Sequence, residues 1–129
     1  MDEASKQRIA KWLNAAPVVR GMLVRGVRFP DQTFVTDADA RDFPVGALEQ
    51  AWRTVDDTFQ VLTAQQFPPT KLSWIFERSV LHCVQRADGA ILGVILARKN
   101  VEPDALGLNR LLAEFLGLAL EDAPAGSGP

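Results

Sequence analysis

The chain has 129 residues, of which 47% are hydrophobic and 23% charged, and a formal net charge of -2. This charge balance excludes the clustered Lys and Arg footprint of a nucleic-acid binder, and the lone Cys83 excludes an intrachain disulfide or a thiolate metal site. The N-terminal MDEASKQRIAKW lacks the uncharged apolar run of a signal peptide, and the longest apolar stretch, Ala90–Ala97, is far too short to span a bilayer. The expectation is one cytoplasmic domain over residues 1–122, without membrane insertion, followed by a flexible tail at 123–129 (APAGSGP) that has nothing to bury.

In chain order, Asp2–Ala16 reads as a helix, because Ile9, Trp12, Leu13 and Ala16 recur at i, i+3, i+4, i+7 and Pro17 stops the ladder. Val18–Phe29 (VVRGMLVRGVRF) reads as a strand in which Gly21 and Gly26 signal a close approach or a bulge. Pro30-Asp31 is a turn, and Gln32–Thr36 can return as a shorter strand. The acidic stretch Asp37–Asp42 is a loop.

The clearest element follows Pro44, a residue favoured in the first helical turn. Val45, Leu48, Trp52, Val55, Phe59, Leu62 and Gln66 recur at spacings of three and four. Beside them runs a line of small or slim residues: Ala47, Ala51, Thr54, Thr58 and Val61. The opposite face carries Glu49, Arg53, Asp56, Asp57 and Gln60, with Glu49 and Arg53 spaced for an i,i+4 pair. Pro68-Pro69 ends this helix of about 20 residues, which is apolar over a wider arc than one sheet face requires.

Three strands come next. Lys71–Glu77 alternates, with Leu72, Trp74 and Phe76 on one face and Ser73 and Ile75 on the other. Val80–Arg86 leads into Asp88-Gly89, a hairpin signal. Ala90–Arg98 is apolar on both faces, as a central strand covered on both sides would be. Pro103 opens a last helix, with Asn100 and Asp104 as capping candidates and Leu108, Leu111, Leu112, Phe115, Leu118 and Ala119 as its core face.

Residues that could carry chemistry are sparse. His82 and Cys83 are neighbours on a strand, so their side chains point to opposite faces and cannot form a base–nucleophile pair. The carboxylates of Asp37, Asp39 and Asp42 lack the sixth-position Gly and closing Glu of a calcium loop and read as solvated. Gly21 and Gly26 are not followed by Gly-Lys-Ser/Thr, which rules out a phosphate-binding loop. Arg20 and Arg28 share one face of the first strand and Arg25 the other, so they read as a solvated strand edge. No catalysis and no cofactor are expected.

The order αββαβββα over roughly residues 2–121 resembles the roadblock family of dynein light chains and their bacterial relatives. VRGMLVRGVRF with its return strand is similar to that family's first hairpin, Leu48–Leu62 to its long second helix, and KLSWIFERSVLHCVQRADGAILGVILARK to its three-strand meander, turning here on Asp88-Gly89. The first hairpin departs from the usual Asp-x-x-Gly-like turn and carries Arg28-Phe29-Pro30-Asp31 instead. The resemblance implies an α+β fold with a five-stranded antiparallel sheet, the long helix on one face and the two terminal helices on the other. It also implies a homodimer in which the Lys71–Glu77 edges pair across a two-fold axis and the long helices pack antiparallel, and a Ras-like small GTPase or an assembly subunit as partner.

The residues themselves point toward a dimer. A bare edge strand carrying Leu72, Trp74, Ile75 and Phe76 would be an aggregation hazard, and the line Ala47, Ala51, Thr54, Thr58, Val61 would let a second helix approach closely. A self-complementary partner answers both. Trp52 reads as core or dimer core, and Trp74 as an interface anchor or core. Glu49, Arg53, Asp56, Asp57 and Gln60 would then form a polar platform for a partner protein. The alternative is a small-molecule sensor of profilin-like layering, for which His82, Gln85 and Ser73 are the few polar groups available.

Overall fold

The computed structural model describes residues 1–37, 42–98 and 104–120. Helix α1 runs Glu3–Ala15, and its first turn is capped by the Asp2 carboxylate, which accepts from the Ser5 backbone N–H at 2.8 Å. Strands β1 (Met22–Arg28) and β2 (Phe34–Thr36) form the first hairpin. Helix α2 spans Val45–Ala64, strands β3 (Leu72–Ile75), β4 (Ser79–Gln85) and β5 (Ile91–Ala97) make a meander, and α3 covers Ala105–Gly117. The order is therefore αββαβββα.

All strand pairs are antiparallel, in the spatial order β2-β1-β5-β4-β3. This is an α+β fold of three helices on one five-stranded sheet. β5 is central, as its two apolar faces require, and β3 lies at one edge. β1 begins four residues later than Val18, because Gly21 takes φ +80 and turns the chain into the strand. The first hairpin closes through Phe29–Gln32, with Gln32 N–H donating to Phe29 O at 2.9 Å and Gln32 itself at φ 74. Gly89, at φ +100, closes the β4–β5 hairpin as its Asp-Gly signal predicts.

Two apolar clusters lie on opposite faces of the sheet. Ile9 and Leu13 of α1 and Leu108, Leu111, Leu112 and Phe115 of α3 pack with Val27, Val84, Leu92 and Val94. Leu48, Trp52, Val55 and Phe59 of α2 pack with Val24, Leu81, Cys83 and Ile91. β4 and β5 contribute neighbouring residues to opposite clusters, as the pleat demands, whereas β3 contributes only to the α2 side, through Leu72 and Trp74.

The α2 side has a feature that no single strand could reveal. Thr36, Gly26, Gly93 and Cys83 stand opposite one another on β2, β1, β5 and β4, a transverse row of small side chains. Trp52, with no exposed surface, sinks into that trough. Its Nε1–H donates to Gly26 O at 3.0 Å, and its ring meets Phe34 edge-on at 5.4 Å.

Arg25 and Arg28 are not a solvated strand edge: β1 is interior, and they are 2% and 8% exposed. Arg25 donates to Asp37 at 2.8 Å and to the carbonyls of Ala16 and Pro17 at 2.8 and 2.9 Å, closing the end of α1. Arg86 does the same at the end of α3, donating to Leu118 O at 2.7 Å and to Phe115 O. Neither helix has a basic residue in its own last turn, so the sheet supplies the cation that complements each C-terminal dipole.

Asp104 caps α3, accepting from Gly107 N at 3.0 Å. Asn100, Pro103, most of the acidic loop including Asp39, and the tail 123–129 lie outside the described residues.

Candidate functional site

Successive residues of a helix advance by about 100°, so α2 presents three sectors. One is the buried row Leu48, Trp52, Val55, Phe59. On one flank of it, Asp56 accepts from Arg28 Nε at 3.0 Å and from Gln60 Nε2 at 2.9 Å, which turns this flank toward β1. The line Ala47, Ala51, Thr54, Thr58, Val61 lies on the other flank and therefore faces the β3 side of the molecule.

That flank is smooth and unusually apolar. Ala47, Ala51, Thr54 and Val61 are exposed and Thr58 half-buried. The Thr54 and Thr58 hydroxyls donate back to Gln50 O and Thr54 O at 3.2 and 2.9 Å, which uses up their donors. A shallow depression of about 260 Å³ runs along Thr54, Thr58, Val61 and Leu62, with Asp57 at its border.

On the same face of the sheet, β3 is the edge strand, its ladder made only with β4 among the described residues. Leu72 and Trp74 are half-buried against the α2 cluster. Ile75, on the opposite face, is 71% exposed, and Phe76, just beyond the strand, is also exposed. Phe67, between α2 and β3, is 73% exposed. Sequence reading passed over Phe67; the signal was an aromatic next to Pro68-Pro69, past the last turn of a helix that could have buried it.

The charged residues of α2 divide. Asp56 is committed to Arg28 and Gln60 to Asp56. Glu49 and Arg53 form no ion pair with each other among the described residues; with Arg28, Gln32 and Gln50 they line a polar groove of about 380 Å³ between α2 and the first hairpin. Asp57 is exposed near the crest of the helix.

On β4, His82 and Cys83 do point to opposite faces. Cys83 is buried beneath α2, and desolvation pushes its thiol up to about 12. His82 lies across the sheet, with Nδ1 3.1 Å from Ser73 Oγ, and partial burial, aided by the charge of Lys71, lowers its pKa below the usual imidazole value. Among the described residues, no three His, Cys, Asp or Glu side chains are placed to hold a metal ion, and no helix is long and apolar enough to cross a membrane.

No protein-family model matches the sequence, and no curated protein matches it. Among solved structures, the chain is similar to Myxococcus xanthus MglB, with a TM-score of 0.59 and 10% sequence identity over 84% of this chain and 86% of that one. The likeness is one of fold, and that fold is roadblock-like, as the order of elements implies.

Proposed function

We propose that this chain is a non-enzymatic, homodimeric adaptor or regulator of a Ras-like small GTPase, acting in the cytoplasm as one domain of residues 1–122 without a cofactor. The observation that carries the dimer is the placement of two unsatisfied features on one side of the molecule. The β3 edge has no ladder partner other than β4 among the described residues, and the small-residue flank of α2 offers an apolar surface on the same face of the sheet. A two-fold axis beside β3 would join two sheets through Leu72, Trp74, Ile75 and Phe76 and set two α2 helices antiparallel along Ala47, Ala51, Thr54, Thr58 and Val61.

The partner class is supported by the fold shared with MglB, a roadblock-type GTPase regulator. In the dimer, Glu49, Arg53 and Asp57 of both copies would flank the paired helices as a symmetric polar platform, with Asp56 and Gln60 bracing it from below through Arg28. Any effect on hydrolysis would come from positioning the GTPase's own residues.

Light scattering of the purified chain over a tenfold concentration range tests the dimer. The expected mass is twice 14.1 kDa throughout. A stable monomer at micromolar concentration would overturn the reading.

A further inference from the structure

We infer that the cavity at the open end of the α1 and α3 face binds a small organic anion, with a carboxylate or phosphate head and a short aliphatic body. The cavity measures about 490 Å³, within the range that encloses small ligands. It forms where the sheet extends past the N-terminus of α3: Val80 and His82 of β4 and Leu96 of β5 line it from the sheet and Leu108 from the helix.

Its rim is cationic in a chain whose net charge is -2. Lys71 and Arg98 reach it from the start of β3 and the end of β5, and Arg20, which holds an interaction of its own, from the approach to β1. Arg98 is anchored by a bond to Phe76 O at 2.6 Å, which occupies one of its five N–H donors. The one carboxylate lining the cavity among the described residues, Asp104, caps α3, where its charge is set against the positive end of the helix dipole.

His82 supplies a polar group within. Its Nδ1 is held by Ser73 Oγ, which leaves Nε2 for a ligand. Burial first, and the charge of Lys71 second, disfavour the imidazolium here. A bound anion would offset the charge of Lys71 and so favour the imidazolium. The cavity opens on the sheet face opposite α2, apart from the proposed GTPase platform; because Lys71 belongs to the edge proposed to pair in the dimer, the light-scattering mass of the Lys71 variant is measured beside its binding.

The test is a titration of the 15N-labelled full chain with octanoate, octyl phosphate, octylammonium and inorganic phosphate, following backbone amides and the His82 ring by NMR. Octanoate or octyl phosphate is expected to give saturable shifts at Val80, His82, Leu96 and Leu108 and to raise the His82 titration midpoint; the tighter of the two identifies the head group. Lys71→Gln, at an exposed position, is expected to weaken that binding roughly tenfold through loss of one charge-assisted contact. Val80→Phe should abolish binding by filling the cavity, with the exposed Lys71 variant as the companion should that protein misfold. Octylammonium binding as tightly as octanoate, inorganic phosphate matching the octyl anions, scattered shifts, or undiminished binding by Lys71→Gln would each overturn the proposal.

Discussion

The thiol of Cys83 and the imidazole of His82 are adjacent in the chain, yet they occupy different chemical surroundings. Cys83 packs under α2 in an apolar cluster, and its pKa of about 12 leaves almost no thiolate at neutral pH. The native protein should therefore be inert to maleimide or disulfide reagents over hours and react fully once denatured, as mass spectrometry would record. Rapid native labelling would show that α2 lifts from the sheet. The arginines show the same dependence on surroundings: Arg25 and Arg28 look solvated in the sequence and are buried because β1 takes an interior place between β2 and β5.

Among the elements, α2 depends most on fit. It lacks a side-chain N-cap, so little of its stability comes from its ends; the trough under Trp52 is what seats it. A Cβ at Gly93 would lie 2.5 Å from the Trp52 ring, whereas one at Gly46 would meet nothing within 4 Å. Gly93→Ala should thus cost about 1–3 kcal/mol, the usual range for overpacking a core. Gly46→Ala should be neutral or stabilise by up to about 1 kcal/mol through helix propensity. Denaturant midpoints, with Trp52 contributing to the fluorescence change, measure both. A neutral Gly93→Ala would mean that the indole can shift aside and that the trough is looser than its geometry implies.

For the whole molecule, the proposed platform makes a prediction that separates assembly from recognition. Arg53 is exposed on the flank opposite the small-residue line proposed for the dimer, and Asp57 is exposed at the border of that line, where it shares a depression with Thr54, Thr58 and Val61. Reversing both charges, Arg53→Glu with Asp57→Arg, should leave the light-scattering mass at the dimer value while abolishing capture of a GTP-loaded small GTPase. Retained capture would move the partner site elsewhere, and a change of mass would place these residues in the dimer interface instead.

The helices, the strands and their order follow from patterns of two to four residues, because periodicity and turn chemistry act between near neighbours. Leu48–Phe59 announces a helix with one buried row, and Asp88-Gly89 a tight turn, whatever lies elsewhere in the chain. The central position of β5 was also legible, since a strand apolar on both faces can only be covered twice. Cross-strand register is not a local property. Nothing within MLVRGVR says that Gly26 will stand beside Gly93 and Cys83, that an indole will lie across them, or that Arg25 will cap a helix. Nor could spacing bring Arg20, Lys71 and Arg98 together at one cavity. Tertiary structure decided these, because each depends on which strands become neighbours, and burial settles that for the chain as a whole.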